Sequence, residues 1–286
     1  MADTNFLMTN LEQSVPEEIA GELIKNIVTT STAFQVCRTV EMASETKKLP
    51  VLTDTGSAYW TAESEKINTS IMGFDYPVLA AKKLAVIVPI TKEKVSDSAI
   101  AVLSEIQEGI SDAFVRAIDA AVFFGTSSPF LTNVAKAAEA NKIENTGALD
   151  ADISAAMGKV ENSDLTVNAI VTSNKMRKSL RELRDANNNA LVLPGGSTGN
   201  QIYNTPIYIP GSKSWDFAKA DLLLGDFTRA VIGTRDNMTF ETLREATVGD
   251  INLAERDMLA VKCTMRMGFN VIDSKAFSAI VPKAGA

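Results

Sequence analysis

The chain has 286 residues, 45% of them hydrophobic and 22% charged, with a net charge of −7, two cysteines and no histidine. With a mean hydropathy of +0.04 at 30.7 kDa, it is neither disordered nor membrane-spanning in composition, and a compact fold of this mass would expose ~12,000 Å². The missing imidazole excludes Ser-His-Asp and Cys-His nucleophiles, H-E-x-x-H zinc sites and any general base whose ordinary pKa is near neutrality.

Residues 1–15 carry no periodic pattern and read as an extended arm. Pro16 then opens an amphipathic helix, with Ile19, Leu23, Ile24 and Ile27 at helical spacing and Ser14 placed to cap it. From Phe34 the texture becomes β-like, FQVCRTVEM and then LPVLT, followed by turn-formers over Asp54-Thr55-Gly56-Ser57. The stretch from Lys47 to Lys82 is extended in pattern but poor in core-forming residues. It reads either as a loop without order or as a long hairpin that packs on another subunit. Trp60, Phe74 and Tyr76 favour the second reading, because aromatics on a hairpin with no core need a partner surface.

YPVLAAKKLAVIVPIT is a strong strand signal. It leads into SDSAIAVLSEIQEGISDAFVRAIDAAVFFG, where Ile100, Leu103, Ile106, Ile110, Ala113, Phe114, Ala117, Ile118 and Ala121 recur three or four apart. With Asp97 or Ser98 as cap and Gly125 as the terminating glycine, this predicts a helix over Ala99–Phe124, ~39 Å long. A helix of that length with one apolar stripe is a scaffold element. From Thr126 to Ile232 the pattern is α/β-like: helix ADISAAMGKVEN, strand VNAIVTS, helix NKMRKSLRELRD, a linker NNNALVLPGGSTGNQ, and short strands in IYNTPIYIPG and DLLLGDFT. The end of the chain returns to long strands, RAVIGTRDNMTFETLRE, MLAVKCTMRMGFNVI and AFSAIVP.

Catalytic motifs fail on context. Gly195–Gly199 spells G-x-S-x-G, but a nucleophile elbow needs a histidine partner and a strand-turn-helix, and a surface loop is expected instead. Ser44-x-x-Lys47 lies in β-like sequence without its companion motifs, and no phosphate-binding glycine loop is present. Lysines and arginines are dispersed on a chain of pI about 4.9, which argues against a tight sequence-reading nucleic-acid binder. Cys37 and Cys263 belong to no C-x-x-C pattern and are expected as buried, reduced thiols. The N-terminus lacks the pattern of a signal peptide, so the chain is expected in, or assembled in, the cytosol.

Taken in order, these elements resemble the major capsid proteins of tailed bacteriophages, the Hong Kong 97 fold. The resemblance runs from Pro16 to Pro282 and is most specific in YWTAESEKINTSIMGFDYPVLAAKKLAVIVPITKEKVSDS, running into the long helix and AIDAAVFFG. VTSNKMRKSLRELRD, IYNTPIYIP, LLLGDFTRAVIGTRDNMTFE and CTMRMGFNVIDSKAFSAIV extend it. It implies an α+β fold with an N-terminal arm (residues 1–32) and an extended E-loop (46–82). A peripheral domain (33–45, 83–126 and 233–271) would hold the spine helix, about 98–125. An axial α/β domain (127–232 and 272–286) would have its tips at the five- and six-fold centres.

The implied function is a structural one, with no enzyme activity, cofactor or metal: hexamers and pentamers of this chain forming an icosahedral head around double-stranded DNA, in a virion assembled in the host cytoplasm. Implied partners are other copies, a separate scaffolding protein, and portal and head-completion proteins, with no membrane. An encapsulin-like nanocompartment shell is the alternative, and an enzyme with a carboxylate or lysine base is a third reading. In the family the E-loop lies over a neighbouring subunit, which makes Trp60, Glu63, Lys66, Phe74 and Tyr76 the expected intersubunit contacts. Some members cross-link a lysine to an asparagine with a glutamate nearby. The matching positions are Ser64 (with Lys66 two residues on), Asp257 and Thr264, so no cross-link is expected. A long N-terminal scaffold extension is not expected either, which leaves two readings, a separate scaffolding protein or a short arm that suffices.

Overall fold

The computed structural model describes residues 30–54, 56–67, 69–92, 99–184, 193–195, 199–211 and 214–283. The N-terminal arm, the helix expected at Pro16 and the expected cap at Asp97 or Ser98 fall outside them. The first described element, α1 (Thr32–Val36), is helical where the sequence pattern predicts β from Phe34. A helix of this length cannot support itself through its own few hydrogen bonds. Its N-terminal donors are satisfied from outside, by Asp119 on a helix nearly ninety residues later. The carboxylate accepts from Ser31 Oγ at 2.6 Å, Ala33 N at 3.0 Å and Thr32 N at 3.3 Å. β1 (Arg38–Glu41) follows and pairs in parallel with β13 (Ala230–Leu243).

β13 and β16 (Met258–Val271) are 14-residue antiparallel partners, and β6 (Lys82–Thr91) closes a four-stranded sheet in the order β1-β13-β16-β6. On β6, Leu84, Val86 and Val88 face the core while Lys83, Ala85, Ile87 and Pro89 are exposed, the period-two alternation of a sheet with one wet side. The wet side carries Glu241–Lys262 at 2.7 Å and Asp236–Arg266 at 3.5 Å, both between paired strands.

The core side belongs to α2 (Ala99–Phe124). Ile110, Phe114, Ile118 and Val122 are buried, and Ser111, Val115 and Asp119 widen the stripe. Ala117, expected in the apolar stripe, is exposed. The buried face is therefore rotated toward 115 and 122. At its C-terminus α2 is buried all round, Ala121 to Phe124. Gly125 then ends it as expected: at φ +66° its N–H reaches the Ala121 carbonyl and the Thr126 N–H reaches that of Ala120.

A second sheet has seven strands. β7 (Ile143–Glu144), β8 (Ala169–Thr172), β9 (Leu193–Gly195), β10 (Gly199–Ile202), β11 (Thr205–Tyr208), β12 (Leu222–Gly225) and β17 (Phe277–Val281) are ordered β7-β17-β12-β8-β11-β10-β9. The C-terminal strand thus returns to a sheet begun well over a hundred residues earlier. α3 (Val134–Ala137) and α4 (Leu149–Glu161) pack on it, α4 through Leu149, Ile153, Ala156 and Val160. The helix expected over NKMRKSLRELRD is only α5 (Arg177–Glu182), preceded by a 3₁₀ turn. β14 (Thr247–Val248) and β15 (Ile251–Asn252) form a small hairpin before β16.

The two sheets share one large hydrophobic cluster, and the second sheet has another of its own on the face covered by α4. The end of α2 is the hinge of that packing: Phe123 meets Phe227 edge-on at 6.5 Å, Phe124 meets Trp215 at 4.8 Å, and Phe227 meets Phe277 at 5.3 Å. The backbone of Gly225, at the end of β12, lies directly against the β17 side. A Cβ there would collide with the Ala276 carbonyl oxygen and approach Phe277 Cα to 2.9 Å. Gly225→Ala is expected to destabilise the chain by about 1–3 kcal/mol, read from the denaturation midpoint, because backbone cannot rotate away as a side chain can.

Candidate assembly surface

Between β1 and β6 the chain makes a long antiparallel hairpin. β2 (Thr46–Lys48) pairs with β5 (Val78–Ala80), and β3 (Val51–Asp54) with β4 (Gly73–Asp75). Leu49 N to Pro77 O at 3.0 Å joins the two ladders. The register runs without slip from Thr46↔Ala80 through Lys48↔Val78 and Val51↔Asp75 to Leu52↔Phe74. Directly opposed residues of a ladder share a face, and the face alternates at each step. One face therefore carries Lys48, Pro50, Leu52, Phe74, Tyr76 and Val78, and the other Lys47, Leu49, Val51, Asp75, Pro77 and Leu79.

The exposure is inverted from that of a self-sufficient hairpin. Leu52, Phe74, Tyr76 and Val78 are 43%, 56%, 54% and 44% exposed, a continuous apolar ribbon in water. Beyond it, the tip adds Tyr59, Ile67, Ile71 and Met72, and Trp60 is fully exposed. Nine of the twelve large apolar side chains exposed among the described residues lie on this one hairpin. Scattered apolar residues on a surface mean little, but a contiguous patch marks a surface meant to be covered.

The root of the hairpin, by contrast, is anchored. Leu79 is fully buried with Met42, Ala81 and Val231. Gly268 on β16 leaves room for the Ala80 backbone, which a Cβ would meet at 2.8 Å, and Asn270 Nδ2 donates to the Val78 carbonyl at 2.9 Å. The hairpin is thus fixed at its base and unpartnered along its outer face, which suits an element that reaches a neighbour.

Of the residues expected to make intersubunit contacts, the structure brings Phe74 and Tyr76 together on the ribbon. Trp60, Glu63 and Lys66 lie apart from it, exposed in the tip. Sequence reading missed Pro50, Leu52 and Val78. Their signal was present as the period-two partners of Phe74 and Tyr76, but it needed the strand register to be read.

No three His, Cys, Asp or Glu side chains among the described residues form a metal-binding group. A cleft of about 360 Å³ at the end of α2 is lined by Phe124, Asn133, Lys136, Lys142 and Lys219. Two of its three lysines are engaged: Lys219 Nζ donates to the Phe124 carbonyl at 2.9 Å and Lys136 Nζ to that of Leu131 at 3.2 Å, as cations do at helix ends and turns. Both cysteines are free and buried, as expected. Burial pushes the Cys263 thiol up to about 12. Burial and then the Asp119 charge push Cys37 further still. Neither is a nucleophile at neutral pH.

The positions matching the family's cross-link are well separated in character. Ser64 lies in the tip at φ +68°. Asp257 is in the turn before β16 and takes a 2.6 Å ion pair from Lys92 Nζ. Thr264 is on the wet side of β16, its hydroxyl 2.8 Å from that of Thr239.

Comparison with known proteins places the architecture. The profile of the phage capsid family matches residues 13–281. The major capsid protein of Staphylococcus phage 80alpha is 26% identical over 290 residues, covering 98% of this chain and 88% of that protein. A solved structure from Microbacterium phage Oxtober96 is 32% identical and superposes with a TM-score of 0.78 over 89% of this chain and 91% of that one. One from Mycobacterium phage Bobi is 28% identical with a TM-score of 0.76, covering 100% and 96%. The α+β fold expected from the order of elements is the fold these structures share, and the chain belongs to the phage capsid family.

Proposed function

We propose that this chain is the major head-shell subunit of a tailed double-stranded DNA phage or prophage, and that its copies close as hexamers and pentamers into an icosahedral capsid. The observation that carries this reading is the hairpin: an anchored root, a ladder in register from Thr46 to Leu52, and an apolar face that no described residue covers. Residues 46–82 act as the E-loop and 1–32 as the arm. Residues 33–45, 83–126 and 233–271 act as the peripheral domain, and 127–232 with 272–286 as the axial domain. The spine helix α2 joins the last two through the shared aromatic cluster. The family match and the phage relatives support a head rather than an encapsulin-like compartment.

The subunit performs no catalysis and takes no cofactor. Assembly proceeds in the host cytoplasm, either with a separate scaffolding protein or with the short arm sufficing, and portal and head-completion proteins finish the head. A net charge of −7 suits a container that encloses DNA without gripping its sequence. The shell is held without covalent links. Asp257 offers a carboxylate already paired with Lys92 where an amide would be needed, and Thr264 offers a hydroxyl where a carboxylate would be needed. Negative-stain microscopy of the purified chain is expected to show closed shells, sheets or tubes, and mature shells boiled in detergent are expected to run as a single band. Uniform small particles would overturn the shell reading. A ladder of covalent oligomers would overturn only the non-covalent one.

A further inference from the structure

Outside the hairpin, few large apolar side chains of the described residues are exposed, and one of them is conformationally costly. Ile202 pairs with Thr205, so β10 and β11 are joined by a two-residue turn, Tyr203-Asn204. Both residues have positive φ, +49° and +62°, the condition of the tight turn whose twist matches that of its strands. Asparagine tolerates that region. A bulky aromatic is an outlier there, since its Cβ crowds the following carbonyl.

Among the described residues no contact repays the cost. Tyr203 is 50% exposed, its ring makes none of the aromatic contacts found among the described residues, and its hydroxyl makes none of their hydrogen bonds. The turn itself is well held, between buried Ile202 and Thr205, so the ring is projected from a fixed point. A strained residue kept in place without internal benefit points to a role outside the folded monomer.

We propose that Tyr203 is an intersubunit anchor, its ring packing against a second copy of this chain at a contact distinct from the E-loop. This rests on the shell reading above, which supplies the partner: the surface of another copy is what a self-assembling subunit meets in quantity. Tyrosine suits the task, giving a rigid amphipathic ring at a low entropy cost.

The test separates folding from assembly. Tyr203→Asn and Tyr203→Gly suit the turn, so the unassembled chain is expected to melt no lower than the parent and up to about 2 °C higher. The assembled fraction, measured by sedimentation and microscopy at fixed concentration, is expected to fall about tenfold in both variants. Tyr203→Phe, which keeps the ring, is expected to assemble like the parent. Parent-like assembly of Tyr203→Asn would overturn the anchor and leave the shell reading standing. A parent chain that stays monomeric under all conditions would overturn both.

Discussion

Replacing Phe74 and Tyr76 together by glutamate is expected to abolish shell formation while leaving the subunit folded. Each ring is already about half covered in the monomer, so covering the rest removes roughly 100 Å² from water. At about 25 cal/mol per Å² that gives several kcal/mol for the pair at every E-loop contact. The glutamates reverse the sign, because a carboxylate buried against an apolar surface without a partner is strongly unfavourable. A net loss of about 4 kcal/mol per contact already weakens association by about a thousandfold, and a closed shell repeats the contact in every subunit. The monomer does not feel the change, since both side chains are exposed in the isolated chain. The measurements are the melting temperature, expected unchanged, and the yield of closed particles, expected to vanish. Particles formed at parental yield would show that the ribbon is not an interface. Asp75→Asn, on the opposite face of the same strand, is the matched control and is expected to assemble.

Asp119→Ala is expected to be the most destabilising of the substitutions considered, by about 3 kcal/mol, or roughly 6–12 °C in melting temperature. The alanine leaves the Ser31 hydroxyl and the N–H groups of Thr32 and Ala33 without their buried acceptor. Each such orphan costs about 1–3 kcal/mol, and relief from burying the carboxylate returns part of the sum. The effect has a pH signature. Burial lifts the Asp119 carboxyl above its ordinary 3.8, with the bonds from Ser31, Ala33 and Thr32 opposing. The native state therefore binds this proton more tightly than the unfolded chain, and stability falls as pH rises from 3.8 to the native value. The stability gap between parent and Asp119→Ala should accordingly widen on mild acidification across that interval and level off below 3.8. A gap that narrows on acidification would mean that the hydrogen bonds, not burial, dominate the carboxyl. Because these bonds fix the first described segment of the chain to the spine helix, loosening them is also expected to lower the yield of assembled shells.

Much of the architecture was legible because its signals are local. The stripe over Ala99–Phe124, the glycine that ends it, the alternation on β6 and the apolar runs of β8, β12, β13, β16 and β17 follow from 3.6- and 2-residue periods read within single segments. The failures share a cause. FQVCRTVEM is β-like by composition, but α1 is helical because its N-cap Ser31 and a carboxylate nearly ninety residues distant together satisfy its first turn. The stripe of α2 was placed over Ala117 because periodicity gives spacing before it gives rotation. Two packing surfaces, the sheet and α1, set the buried face around 115 and 122.

The hairpin shows the same division. Its low core content and its stranded aromatics are properties of sequence, and over Lys47 to Lys82 they favour a hairpin that packs on another subunit over a loop without order. That Phe74 and Tyr76 share a face with Leu52 and Val78, while Trp60 stands apart, depends on which residues pair, and pairing is a long-range choice made by the root on Val231 and Gly268. The absence of histidine likewise excluded whole classes of chemistry from the sequence alone. What the chain does instead rests on surface left uncovered, and uncovered surface exists only once the tertiary fold has decided which apolar residues it can bury.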